Sequence, residues 1–529
     1  MTHPDPIQAS IKIASEGKTS EAKKILMDAL AQNKDNIEIL NALGDLTYLS
    51  EEFHDAIHFY EKSLGIFPQQ PDILFNVALI NKESGNLVKA LEVYTRLLEI
   101  RPNDLECLNN RGNLFRELSL FEKAFQDLNK ANEIIEKEVR TFSFELEPWV
   151  IHLNLGNVLL LMGMHGEANN FFDKGLALKP NSFDLIKSKG VALFHLTHYQ
   201  EAIGFYHTAL EIKPQDIELQ LDTALAYLSI GDYDKGLKKL ESRSTAKRLN
   251  GIMWTGNEDV SGKILYVRAE WGLGDIIQFS RYFLLIGTLG AKVYVQIPKS
   301  LQSIIRSLGD QFEIVDGMEH GFDYYTNLMS LPFIFKTNIH NIPARESYLF
   351  ADQVKVELWK KKLKRGKRYQ VGIVWRGGEK PSSTRHAYCS RNIACEFLEP
   401  LFHLDIDLVG LQKGDEAIDE MKDFLEQHPS FRMKDFSHEI EDFSDTAALI
   451  ENLDLVISVD TSTLHLAAML GKETWLLNRF NSCWRWNSSN KTRTAWYPSM
   501  KIFNQTKLGH WDDVMDDVIK DLKERIKLK

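Results

Sequence analysis

The sequence predicts two structural classes in one chain: an all-α repeat array, then α/β units built on parallel sheets. Three observations carry this. Small residues recur every 34 positions, at Ala22, Ala56, Ala90 and Ala124, and again at Ala168, Ala202 and Gly236 after one longer step. Beyond residue 250, short apolar runs alternate with helical spacing, as in a doubly wound sheet. Residues 453–472 read as strand, polar turn and helix, with Asp460, Thr461, Ser462 and Thr463 at the turn.

In the first half, a glycine or alanine stands twelve residues before most repeated positions: Gly44, Ala78, Gly112, Gly156, Gly190 and Ala224. Tyr60, Tyr94, Phe172 and Tyr206 stand four beyond, and Pro68, Pro102, Pro180 and Pro214 twelve beyond. Small residues let two antiparallel helices approach. The aromatic ring is expected to fill the groove toward the next unit, and proline ends the second helix. Seven units fit residues 3–245, with an insertion near 136–148. The pattern resembles the tetratricopeptide repeat family. That resemblance implies a solenoid whose concave groove holds a protein or peptide; a purely structural spacer is the alternative.

The second half begins with a strand at 263–270, then Trp271, Gly272, Leu273, Gly274 and Asp275, then a helical run over 276–290. Strands follow at 292–298 and 312–317, with a helix at 300–309 between them. A helix at 354–363 reads as a crossing to a second unit. There, strands at 369–378, 407–414 and 473–478 flank the 453–472 segment, whose strand is Leu455, Val456, Ile457 and Val459. A short helix includes 446–450. The amphipathic stretch 511–526 is expected to return to the first unit. Units at 252–350 and 369–509, with a returning helix at 510–527, make a GT-B arrangement with its ligand in the cleft.

Composition narrows the function classes. A net charge of −11 over 529 residues argues against a general nucleic-acid binder. Cys107, Cys389, Cys395 and Cys483 form no CxxC pair, which suggests reduced thiols and no structural zinc. No run approaches 18 apolar residues, so no membrane-spanning helix is expected. The N-terminus lacks the apolar core of a signal peptide, which points to the cytoplasm. No phosphate-binding loop with a following Lys-Ser/Thr and no HExxH is present. Asp405 and Asp407 flank a strand rather than ending one, and are discounted as a metal site.

The motifs WGLGDIIQFSRY, GIVWRGG, SRNI, GLQKG, DFSDTAALIENLDLVISVDTSTLHLAAMLGK, WRW, WYPSMKIFNQ and GHWDDV occur in that order. Together they resemble the glycosyltransferase-like domain found behind tetratricopeptide repeats in bacterial proteins, which is similar to the heptosyltransferase family (glycosyltransferase family nine). The resemblance implies two Rossmann-like units in a GT-B fold. It also implies a nucleotide-sugar donor bound mainly by the second unit, and transfer without an essential metal or other cofactor. By that likeness Asp275 matches the candidate base, and Asp460 and Thr461 match a pair near the donor. One departure is the repeat array preceding the first strand. Another is the family's donor-binding lysine, for which Lys380, Arg385 and Arg391 are all candidates.

Each residue has a chemical and a structural reading. Gly272 and Gly274 would let backbone N–H groups approach a substrate, or serve the turn. Asp275 would take a proton, or cap the next helix. Arg391 would offer a fork to a diphosphate, or a surface ion pair. Gln412 and Lys413 would touch base or ribose. The helix start at 460–463 suits a phosphate, or Asp460 or Ser462 merely caps it. His465 is a ligand or a satisfied structural histidine, and Trp484 and Trp486 wall the cleft or fill the core. The chain is therefore expected to move a sugar from a nucleotide-diphosphate donor to an acceptor, possibly a protein, recruited by the repeats. The alternative is a non-catalytic interaction scaffold with a degenerate GT-B domain.

Overall fold

A computed structural model describes residues 5–138, 146–243, 249, 251–317, 321–364, 366–378, 391–486 and 491–528. The chain divides into two compact units, Met1–Ser188 and Lys189–Lys529.

The first unit is built of helix pairs. They are α1 (Pro6–Ser15) with α2 (Thr19–Gln32), α3 (Ile37–Leu49) with α4 (Phe53–Ile66), and α5 (Pro71–Glu83) with α6 (Leu87–Ile100). Then come α7 (Leu105–Glu117) with α8 (Phe121–Glu138), and α9 (Pro148–Leu161) with α10 (His165–Leu178). Ala22, Ala56, Ala90, Ala124 and Ala168 are fully buried. The reason is visible at the glycines. A Cβ on Gly44 would lie 2.3 Å from the Tyr60 ring, and one on Gly156 would lie 2.4 Å from Phe172. The aromatic ring thus seats on the glycine of its own pair rather than only on the next unit. The Tyr60 hydroxyl, which donates to Asp45 at 2.6 Å, stands 3.3 Å from Asn76 of the following pair. Prolines 68 and 102 each follow the non-helical residue, Phe67 and Arg101, that closes the preceding helix. Part of the insertion lengthens α8 to 18 residues, against 14 in α4; residues 139–145 lie outside the described set.

A second period is hidden in the turns. Gly17, Glu51, Gly85, Ser119, Gly163, Thr197 and Gly231 all carry φ between +59° and +82°. They sit one per helix pair, where the first helix turns into the second.

Helix α11 (Phe183–His195) spans the division, and α12 (Tyr199–Ile212), α13 (Ile217–Ser229) and α14 (Tyr233–Leu240) follow. Two all-parallel sheets come next. The first has order β1-β5-β2-β3-β4, from β1 (Ile252–Met253), β2 (Ile264–Arg268), β3 (Lys292–Gln296), β4 (Glu313–Val315) and β5 (Tyr324–Asn327). The second has order β11-β10-β9-β6-β7-β8. Its strands are β6 (Tyr369–Val374), β7 (Ile406–Gly410), β8 (Met433–Asp435), β9 (Leu455–Ser458), β10 (Thr474–Asn478) and β11 (Met500–Asn504). Strands β9 and β10 are buried at every residue, which explains their unbroken apolar runs.

The run after β2 is not one helix. It breaks into α15 (Leu273–Phe279), a 3-10 turn at Ser280–Tyr282 and α16 (Phe283–Ile286). Next come α17 (Lys299–Ile305), the short α18 (Leu331–Ile334) and α19 (Gln353–Leu363). The second sheet carries α20 (Glu399–Phe402), α21 (Asp415–Gln427), α22 (Phe443–Glu451), α23 (Ser462–Met469) and α24 (Asp512–Lys527). Helix α24 does not return to the first sheet. Its Val514, Met515, Val518 and Leu522 share a core with Val371, Trp475 and Phe503 of the second, and Arg525 pairs with Glu473 at 2.7 Å. The apolar stripe on α24 is covered there, so nothing is left for it to seek on the first sheet.

The two sheets are joined through helices, α15 against α23 and α17 against α22, within one apolar core. Leu228, Tyr233 and Leu237 of the last helix pair belong to the same core. Tyr233 stacks on Trp496 (6.4 Å) and meets Trp484 edge-on (5.7 Å). Buried Arg243 donates to Glu270 at 2.7 Å and to Ser330 at 2.7 Å. The change from helices to sheets falls near residue 250, yet α12–α14 belong with the sheets.

Candidate functional site

Parallel strands deliver their following loops to one edge, and four such loops converge here. After β9, Thr461 caps α23, its Oγ1 accepting from the Leu464 N–H at 3.3 Å. The cap is therefore Thr461, not Asp460 or Ser462, because Thr461 has the extended backbone of an N-cap and its side chain makes the capping bond. Ser462 and Thr463 form the first turn, and Gly471, at φ +79°, closes the helix end. Asp460 is freed from capping and faces His465, whose Nε2 stands 3.6 Å from Asp460 Oδ1. His465 is 5% exposed, and its Nδ1 lies 2.7 Å from the Tyr497 hydroxyl.

After β2, Trp271 adopts φ +71°, a conformation that costs a non-glycine residue about 1–3 kcal/mol. The turn continues through Gly272, whose N–H donates to Asp275 Oδ2 at 3.1 Å. Asp275 thus returns a bond to the start of α15. Its other oxygen, Oδ1, accepts from Nη2 of Arg485. Gly274 lets α15 meet α23, since a Cβ there would lie 2.8 Å from the His465 ring. Its space is filled by a side chain, which fits the turn reading better than substrate approach.

After β10 come Arg479 and then Arg485, the latter between Trp484 and Trp486. Arg485 is 9% exposed; its Nη1 lies 3.0 Å from Cys483 Sγ, and its guanidinium sits over Phe279 (5.4 Å) and Trp484 (4.9 Å). After β6, the Arg391 guanidinium lies against Gly377, where a Cβ would be only 2.2 Å away. Lys380 and Arg385 lie outside the described residues.

The charges interact. Burial pushes the Asp460 carboxyl up, but His465, Arg391 and Arg485 outweigh that and hold it well below the usual carboxylate range. Burial pushes the Arg479 guanidinium down; Asp460 opposes this and Arg391 adds to it. The Arg485 guanidinium is held above its usual range: burial lowers it, but Cys483, Asp275 and Asp460 prevail. Asp275, Asp460, His465, Arg391, Arg479 and Arg485 are thus one cluster of three guanidiniums, two carboxylates and an imidazole.

Gln412 and Lys413 are engaged elsewhere. Gln412 Oε1 accepts from the N–H groups of Trp375 and Arg376, and its Nε2 donates to the carbonyls of Arg376 and Lys413. Lys413 Nζ donates to the carbonyls of Ser437 and Ile440. Both brace the loops after β6 and β7. Trp486 packs 5.5 Å from His465, inside the core. Sequence reasoning passed over Arg479 and Arg485. The first had a legible signal, since it follows the last residue of a buried strand. Nothing local marks the second.

Residues 71–104 match a family model described as the tetratricopeptide repeat. The chain is 25% identical over 515 residues to Protein FlbA of Caulobacter vibrioides, covering 89% of this chain and 82% of that one. That span reaches past the repeats into the α/β half. It is also 22% identical over 268 residues to the peroxisomal targeting signal receptor of Kluyveromyces lactis, covering half of this chain and 46% of the receptor. A tetratricopeptide repeat protein of Parabacteroides merdae aligns in structure with a TM-score of 0.35 and 21% identity, over 46% of this chain and 93% of that one. The helix pairs of the first half thus include a tetratricopeptide repeat at residues 71–104, and among the described residues no helix is long and apolar enough to cross a membrane.

Proposed function

We propose that the α/β half is a GT-B-type glycosyltransferase that binds a nucleotide-diphosphate sugar, and that the repeats recruit the acceptor, a protein or peptide. The observation that carries this is the convergence of Asp275, Asp460, Arg391, Arg479 and Arg485 where loops from two parallel sheets meet. Ligands in such sheets bind beyond the carboxyl ends of the strands. Three guanidiniums and a helix start suit a diphosphate. In the reaction, the anomeric carbon–oxygen bond to the diphosphate breaks and a bond to the acceptor oxygen forms. The acceptor proton passes to Asp275, and the nucleoside diphosphate leaves. Asp460 orders the donor sugar.

A second reading is a non-catalytic scaffold. It is favoured by Asp275 having both oxygens engaged and by Gln412 and Lys413 being taken up by backbone. One experiment separates the two. A panel of nucleoside diphosphates and their sugars is screened for thermal shift and for donor hydrolysis. The enzyme reading expects both; a shift without turnover leaves the scaffold, and neither removes the donor site.

A further inference from the structure

Arg485 has an arrangement that its ion pair alone does not explain. Its side chain is more than nine-tenths buried, yet Nε has no hydrogen-bond partner among the described residues. Nη1 donates to Cys483 Sγ, and the faces of the guanidinium are covered by Phe279 and Trp484. What remains is the Nε/Nη2 edge, the edge of the fork that takes two oxygens of one anion. Asp275 fills half of it, placing one oxygen on Nη2 and turning the other to the Gly272 N–H. A buried N–H left without a partner costs about 1–3 kcal/mol, so a ligand offering two oxygens is the better occupant.

We propose that Asp275 is a resident competitor in an anion site on Arg485, so that the donor's diphosphate displaces its carboxylate. This rests on the donor reading above. A diphosphate seated on Nε and Nη2 would satisfy both N–H groups. The displaced carboxylate would then be free to accept a proton. Donor binding and the release of the base become one event, and the donor must bind before the acceptor can react. The pair also joins α15, from the first sheet, to the loop after β10 of the second, so displacement occurs at the seam between them.

The test uses the full chain and inorganic pyrophosphate, titrated by calorimetry into the native protein, Asp275→Asn, Arg485→Gln and the double variant. Removing the competitor should tighten pyrophosphate binding about three- to tenfold, the scale of one carboxylate–guanidinium pair. In the Arg485→Gln background the same change should have no effect. Asp275→Ser, which also removes the charge, must repeat the gain; it stands in if the Asn variant fails to fold. A gain that persists without Arg485 is only the field of a lost charge, and overturns the proposal. So does unchanged or weaker binding in the Asp275 variants. Pyrophosphate that binds natively with no gain sinks this inference alone. A gain without turnover of any nucleotide sugar sinks the transferase reading alone.

Discussion

Asp460 and Asp275 carry expectations of different size for the same substitution. Asp460 is not a cap, so Asp460→Asn removes a charge without unmaking the helix start. If Asp460 orders the donor sugar through a charged hydrogen bond, turnover should fall roughly 10–100-fold; unchanged turnover returns it to a structural role. Its stability effect has a sign that follows from its environment. The carboxyl is held below its ordinary range, so its stabilisation is complete above about pH 4 and is lost as pH falls through the lower native value. The urea midpoint of the native protein should therefore drop on acidification below about pH 4, and less steeply for Asp460→Asn. Equal slopes would show that His465, Arg391 and Arg485 do not hold this group down. Asp275→Asn, by contrast, should cut transfer by roughly 10²–10⁴-fold, the usual loss for a general base. A variant turning over near the native rate would remove Asp275 as the base.

At the scale of elements, the turn inside each helix pair offers a clean experiment. Glu51, Ser119 and Thr197 occupy left-handed positions that Gly17, Gly85, Gly163 and Gly231 fill elsewhere. A side chain there, above all a β-branched one, is strained by about 1 kcal/mol or more. Thr197→Gly should raise the midpoint of the helical transition by far-ultraviolet circular dichroism, with a gain near 1 kcal/mol. A loss instead would mean that the threonine side chain makes contacts worth more than the strain. The glycines under the aromatic rings should behave the other way. Gly156→Ala drives a methyl into Phe172 and should cost about 1–3 kcal/mol.

For the whole molecule, the boundary of compactness matters more than the boundary of composition. A fragment of residues 1–245 would strip cover from Leu228, Tyr233 and Leu237, which pack in the core of the sheets. Each such side chain is worth about 1.5–3 kcal/mol of burial. That fragment should self-associate in size-exclusion chromatography through its newly exposed patch. A fragment of residues 1–188, ending within α11 at the edge of the first compact unit, should stay helical and self-associate less, because each repeat contacts only its neighbours and Leu185 still covers Gly175 of α10. Identical behaviour of the two fragments would show that the last helix pair does not depend on the sheets.

The sequence by itself determined what is periodic or local. A 34-residue period marked the helix pairs, strand–helix alternation marked the parallel sheets, and the strand-to-helix turn at Asp460 marked the edge where the charged cluster gathers. Polar or very short strands such as β5 and β1 escaped, because five or fewer residues with mixed polarity carry no period. Tertiary structure alone decided where those edges meet. Arg485 reaches Asp275 across 210 residues, and Gly274 admits the ring of His465. Thr461 rather than Asp460 took the cap, and α24 covered the second sheet rather than the first. None of these has a local signature. Each depends on which buried faces find one another, and apolar burial, being non-directional, is settled only when the whole core is assembled.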